Sequence, residues 1–174
     1  MGNRHIDLDD LVPVIVLEGD LLVLVAEGIE KPGNLGAILR SADGAGADAF
    51  IAASPRTDVF NPNAIRASLG AIFSVPIAAA PTADVLDWLR AGGVRIAAAR
   101  LDATTLATDA DLTGPLAIAV GAEADGLSAA WSAPDIVGIR LPMLGRADSL
   151  NVSVASAVLL YEARRQRGNL RAAR

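Results

Sequence analysis

The feature that most limits what this chain can fold into is a repeated pair: a short apolar run, then a turn rich in Gly or Pro and a stretch with helical spacing. Residues 21–25, Leu-Leu-Val-Leu-Val, show the pattern first. A run this apolar with no polar alternation reads as a strand covered on both faces, which is the condition of a parallel sheet. Further runs at 49–52, 74–78, 94–98, 116–120 and 137–141 read as strands. Helices are predicted from Asn34, as a cap, through Ile38 and Leu39 to Asp43-Gly44, over 63–69 and 82–91, briefly at 129–131, and over 150–167. Strands alternating with helices predict an α/β fold, a mostly parallel sheet flanked by helices, with its ligand beyond the carboxyl ends of the strands. The last helix carries Val154, Ala155, Val158, Leu159 and Tyr161. That stripe is broader than one contact requires, so the helix is expected to pack on the sheet and on a second body.

With 174 residues and 52% of them hydrophobic, one domain with a sizeable core is expected. No run approaches the ~20 apolar residues of a membrane span, and the N-terminus has charge but no apolar signal core, so a soluble, cytoplasmic protein with no membrane partner is expected. The chain divides into a linker-like segment 1–20, a domain over 21–168 and a basic tail 169–174. The first segment reads as the possible stump of a linker from an upstream domain. Without cysteine, and with His5 as its single histidine, the chain has no means of building a disulfide, a thiolate metal site or a well-held Ser-His-Asp triad, and no metal is expected.

A net charge of −5 argues against nonspecific coating of nucleic acid. Lys31 is the one lysine, whereas arginines gather at Arg140, Arg146, Arg164, Arg165, Arg167, Arg171 and Arg174. They allow a local phosphate-binding patch, but the C-terminal group reads more simply as a solvated face.

Three predicted loops after strands combine glycines with polar side chains: 27–36 leading to Arg40, 121–127, and 141–153. Singly, each has a plain structural account, with Asn34 and Ser149 as helix caps, Arg40 as an ion pair, Glu123 as a solvated carboxylate and the glycines as turn formers. A dinucleotide fingerprint is disfavoured because Glu123 stands where the second glycine would approach pyrophosphate, and no Walker sequence is present.

Together the three loops resemble the SPOUT superfamily of methyltransferases, in its SpoU or TrmH-like branch. The resemblance rests on Asn34-Leu35-Gly36 with Arg40, on Gly121, Glu123, Gly126 and Leu127, and on Leu141-Pro142-Met143 with Ser149-Leu150-Asn151-Val152-Ser153-Val154-Ala155. Leu141 replaces the usual isoleucine, a volume-conserving change. Residues 67–71 and 76–77 resemble the family's middle segment. The resemblance implies a deep C-terminal trefoil knot, a homodimer through the C-terminal helix, and transfer of a methyl group from S-adenosylmethionine to a ribose 2′-hydroxyl of rRNA or tRNA. It places the cofactor at Gly121, Leu141, Met143 and Leu150, where glycine lets backbone approach and the apolar side chains wall a flat base. It assigns Arg40, Asn34, Glu123, Ser149 and Asn151 to the chemistry. A guanidinium is a poor base, so Arg40 is expected to hold phosphate and hydroxyl together, with the proton acceptor left open among phosphate, water and a transiently neutral Arg40. An alternative implied by the short length is a cofactor-binding dimerisation domain, inactive alone because an upstream RNA-binding domain is missing.

Overall fold

The computed structural model describes residues 7–11 and 19–168; His5, the tail 169–174 and most of the linker-like segment lie outside the described residues. A short helix α1 (Leu8–Leu11) is followed by β1 (Leu22–Glu27), α2 (Pro32–Gly44), β2 (Ala49–Ala53) and α3 (Pro62–Ser68). Then come a 3-10 turn (Ala71–Phe73), β3 (Ile77–Ala80), α4 (Thr82–Ala91), β4 (Arg95–Ala99), β5 (Thr105–Leu106) and β6 (Leu116–Gly121). A second 3-10 turn (Ala129–Ser132), β7 (Val137–Arg140) and α5 (Val152–Gln166) complete the chain. The seven strands form one sheet in the order β3-β2-β1-β6-β4-β7-β5, every neighbouring pair parallel.

The continuous apolar runs are explained by two cores, one on each face of the sheet. Along β1, Leu22, Leu24 and Ala26 enter one core with Leu35, Ile38 and Leu39 of α2 and Leu159 and Leu160 of α5. Leu21, Val23 and Val25 enter the other with Leu8 and Leu11 of α1 and Val85, Leu86 and Leu89 of α4. Because side chains alternate with a period of two, a strand covered on both faces must be apolar at every position.

Several boundaries differ from the sequence reading for local reasons. Helix α2 begins at Pro32 with Lys31 as its N-cap, so Asn34 lies in the first turn and is no cap. Proline at the first helical position has its φ preset and lacks only an N–H that would be unbonded there. Helix α3 begins at Pro62, capped by Asn61, whose side chain accepts from the Asn63 amide at 2.9 Å. Strand β3 starts at Ile77, because residues 71–73 form a 3-10 turn. Two-residue β5, at the sheet edge, is too short to have a periodicity.

Of the C-terminal arginines, Arg164 and Arg167 do not belong to a solvated face, while Arg171 and Arg174 lie outside the described residues. Arg164 donates to the carbonyls of Ala45, at 2.7 Å, and Gly46, just past the end of α2. Arg167 donates to the carbonyls of Leu112, at 3.1 Å, Gly114, at 2.7 Å, and Asp20, while Arg165 pairs with Glu162. Burial lowers the pKa of Arg167 from the ordinary guanidinium value. The fork of five donors suits this work because the last turn of α5 lies against loop carbonyls that no helix or strand partner satisfies.

Gly36 sets how closely α3 crosses α2. A Cβ built there would lie 2.5 Å from the Ala64 carbonyl oxygen and 2.5 Å from the Ala67 Cβ. Alanine in a helix interior ordinarily gains about 1 kcal/mol over glycine. Here Gly36→Ala is expected to reverse that sign, destabilising the protein by about 1–3 kcal/mol through overpacking, as read from urea unfolding.

Candidate active site

The carboxyl ends of the strands carry the loops that bear the motif residues, as the parallel topology requires. A cleft of about 420 Å³ opens beyond the ends of β4, β6 and β7. Gly121, Leu141, Met143 and Leu150, all expected to hold the cofactor, line it, as do Glu123 and Ser149. Asn34, Arg40 and Asn151 do not line it. The volume falls in the range of small-ligand sites, and the walls combine apolar side chains with loop backbone.

Glu123 joins the three loops. Its carboxylate accepts from Lys31 Nζ at 2.8 Å and from Asn151 Nδ2, and Asn151 Nδ2 lies 3.4 Å from Asn34 Oδ1. The Lys31 ammonium, first, and the two asparagine amides hold the Glu123 pKa below the ordinary carboxylate value. The orientation of Asn151 follows from a second duty: as N-cap of α5, its Oδ1 accepts from the Ser153 amide at 2.9 Å and from Ser153 Oγ at 2.6 Å. With the oxygen engaged by the helix, the amide nitrogen is left to face Glu123. Lys31 and Asn151 are thus the cap residues of α2 and α5, and both helices begin at the same carboxylate. Helix N-termini favour an anion, so this placement is electrostatically consistent.

At the far end of the pair, Tyr161 Oη donates to the Gly44 carbonyl at 3.2 Å. Helices α2 and α5 therefore run side by side in the same direction. Arg40 is exposed on α2 and forms no ion pair among the described residues, so the expectation of a surface ion pair is not met. Ser149 is exposed and is no helix cap, since α5 is capped by Asn151.

Gly121 is required for a reason the sequence did not suggest. A Cβ at this position would strike the backbone of Gly126 and Leu127, because the loop folds back on itself through the 2.8 Å bond from the Gly126 amide to the Ala122 carbonyl. Gly126 itself has φ +65°, in the region that favours glycine. The need for glycine at 121 is met by the loop's own closure, before any ligand is considered.

Sequence reasoning also missed the groups that hold this loop in place. Glu27, at the end of β1 and only 7% exposed, accepts from Thr82 Oγ1 at 2.6 Å, the Ser128 amide at 2.7 Å and Ser128 Oγ at 2.9 Å. Burial raises its pKa, but the bonds from Ser128 and Thr82 and the nearby Trp131 indole outweigh it, leaving the pKa below the ordinary value. The indole nitrogen of Trp131 is fully buried and has no hydrogen bond of ordinary geometry. On the outer side, Arg56 donates to Glu30 at 2.6 Å and to Asp125 at 2.9 Å, tying the first loop to the second. A carboxylate at the end of a strand, among loops full of hydroxyls, was the available signal for Glu27. Arg56 had none, because its partners are 26 and 69 residues away.

Among the described residues no group of three His, Cys, Asp or Glu side chains converges as a metal site. No helix among them is long and apolar enough to cross a membrane.

The depressed pKa of Glu27 makes its bonds stabilising above its unfolded pKa, and that contribution is lost as pH falls through the folded value. Glu27→Gln is expected to cost about 1–3 kcal/mol at pH 7, the range for hydrogen bonds to a charged group. The difference from wild type should shrink below about pH 4, near the ordinary carboxylate value. Urea unfolding across pH checks both.

The sequence model described as the SpoU rRNA Methylase family matches residues 21–161. The chain is 39% identical over 165 residues to a 23S rRNA (uridine(2479)-2′-O)-methyltransferase of Streptomyces viridochromogenes, covering 91% of this chain and 57% of that protein. A crystal structure of an RNA 2′-O ribose methyltransferase superposes with a TM-score of 0.80 at 51% identity, over 86% of this chain and 57% of the other. An AdoMet-bound rRNA methyltransferase from Sinorhizobium meliloti gives a TM-score of 0.86 at 36% identity, over 93% and 61%. The chain therefore spans about three fifths of the length of these relatives. With the family model covering most of its length and its fold shared at these identities, the chain belongs to the SpoU rRNA methylase family.

Proposed function

We propose that this chain binds S-adenosylmethionine in the cleft beyond β4, β6 and β7 and transfers its methyl group to a ribose 2′-hydroxyl of rRNA or tRNA. The observation that carries the reading is the junction at Glu123, where the polar motif residues of three separate loops meet beside a cleft walled by Gly121, Leu141, Met143 and Leu150. Relatives support it: one acts on a uridine 2′-oxygen of 23S rRNA, and another is AdoMet-bound.

The cleft suits the cofactor chemically. Leu141, Met143 and Leu150 supply apolar surface for a flat base, and loop 121–127 presents its backbone. Asp148 lines the cleft and has no cationic partner among the described residues, which fits a ligand with positive charge. When bound, the cofactor supplies an electrophilic methyl on a sulfonium. The protein's share is to align the attacking oxygen and lower the cost of removing its proton. Arg40 is assigned to hold a neighbouring phosphate and the hydroxyl with its planar fork, and Asn34, Glu123, Ser149 and Asn151 to order the polar groups at the mouth.

Arg40 lies outside the cleft of its own chain, and the last helix leaves Val154, Val158 and Tyr161 44–48% exposed at helical spacing. A second copy seated on this stripe, about a two-fold axis, would cover the apolar surface and bring one subunit's Arg40 towards the other's cleft. The trefoil knot belongs to the same reading: β6 lies between β1 and β4, and after β7 the chain returns as α5 beside α2, a threading consistent with it. Residues 21–168 are the catalytic unit of this proposal, in a cytoplasmic setting.

The alternative reading is a cofactor-binding dimerisation domain that needs a further RNA-binding part for activity. Methyl transfer from labelled S-adenosylmethionine to rRNA and tRNA separates the two. Incorporation at ribose supports the enzyme; binding of cofactor by calorimetry with no incorporation supports the alternative.

Arg40→Ala is expected to reduce single-turnover methylation at least ~100-fold, about 2.7 kcal/mol of transition-state stabilisation, with cofactor affinity nearly unchanged. Arg40→Lys should fail similarly, because it keeps the charge and loses the fork. Near wild-type rates would make Arg40 structural. Val158→Glu is expected to convert a dimer to a monomer in light scattering at micromolar concentration; a monomeric wild type would overturn the interface.

A further inference from the structure

Most cations among the described residues already have partners. Among the described residues, Lys31, Arg56, Arg90, Arg95, Arg100 and Arg165 pair with carboxylates, and Arg164 and Arg167 bind backbone carbonyls. Four guanidiniums, Arg40, Arg66, Arg140 and Arg146, have neither kind of partner among the described residues. Arg66 is exposed on α3 and, among the described residues, donates only to the neutral side chain of Asn63, so none of their carboxylates compensates its charge.

The segment that follows Arg66 is unusual on two counts. Leu69 is left-handed, with φ +51°, and 72% exposed, so the chain accepts both backbone strain and an unburied leucine. Phe73 is 76% exposed in a protein with six aromatic residues, whereas Phe50 and Trp131 are fully buried. Neither side chain hangs on a loose loop. Ala71 and Ile72 between them are buried, Ser68 is 1% exposed, and α3 is seated on α2 at Gly36, one turn before Arg40. The left-handed pair Leu69 and Gly70 turns the chain so that both large side chains face out from a fixed base.

We propose that Arg66, Leu69 and Phe73 form an RNA platform at the α3 edge, in which Phe73 stacks on an unpaired base of the substrate and Arg66 holds a phosphate beside it. It rests on the RNA-methyltransferase reading and names where the strand continues beyond the nucleotide at Arg40. The occupant is argued from charge: on a chain of net −5, an exposed guanidinium on α3 and an exposed aromatic ring on the turn that follows it match phosphate and base together. An apolar protein partner would use the leucine and the ring but leave the guanidinium unmatched.

The test measures binding of the 174-residue chain to fluorescein-labelled fragments of 23S rRNA by anisotropy, over a series of salt concentrations. Phe73→Ala is expected to weaken binding about tenfold with no change in salt slope, and Phe73→Tyr to restore it, because stacking is not ionic. Arg66→Ala should lower the slope of log affinity against log salt by about 0.7–0.9, the loss of one phosphate contact. Leu69→Gly should melt no lower than wild type while losing RNA affinity. Unchanged affinity and slope in these variants, or failure of the wild type to bind the fragments, overturns the platform. So does a change of oligomeric state in Phe73→Ala with RNA binding intact, which would make the patch a contact between copies. Cofactor affinity, measured in parallel by calorimetry, separates this from the functional reading: a wild type unable to bind S-adenosylmethionine would refute that reading itself.

Discussion

The site depends on one carboxylate. Glu123 lies at the N-termini of α2 and α5 and accepts from the side chains of both cap residues, Lys31 and Asn151. Removing it would leave two helix starts and an ammonium group facing one another with no anion between them. Because the helices run parallel, their favourable ends coincide, an arrangement available only where both return to the same edge of a parallel sheet. Exposed ion pairs contribute little to stability. The value of this one is geometric: it joins Glu123 to Lys31, 92 residues away, and to Asn151, 28 residues away, and so brings three separate segments to a common point.

Close backbone approach is the second constraint. At Gly36 it lets α3 sit against α2, and at Gly121 it lets the second loop close on itself beside the cleft. Glu27 then fixes the far end of that loop through Ser128, and Arg56 fixes its outer side through Asp125. The loop that lines the cleft is therefore held from below by a buried carboxylate and from outside by a guanidinium, before any ligand contributes. Such prior ordering reduces what binding must supply.

The sheet was legible in the sequence because its cause is local. A strand covered on both faces must be apolar throughout, and residues 21–25 and 116–120 say so without reference to any partner. Helix ends were less legible, since capping and proline compete: Asn34 looks like a cap, yet Pro32 starts the helix two residues earlier. Arg164 and Arg167 differ from the expected solvated face for another reason. Composition shows a charge run, but whether a guanidinium faces water or carbonyls depends on what the helix end packs against, and for Arg164 and Arg167 that is the end of α2 and the segments before β1 and β6.

By itself, the sequence determined the α/β class, the parallel sheet, the three motif-bearing loops and the membership of their residues in one family pattern, because apolar periodicity and short motifs are written in consecutive residues. Only the tertiary structure decided that Glu123 sits between two helix starts, that Gly121 serves loop closure, that Glu27 and Arg56 brace the cleft, and that Arg66 has no carboxylate partner among the described residues while Phe73 is left exposed. Those facts concern pairs of groups far apart along the chain. Their energies depend on distance and burial, which no local pattern of residues contains.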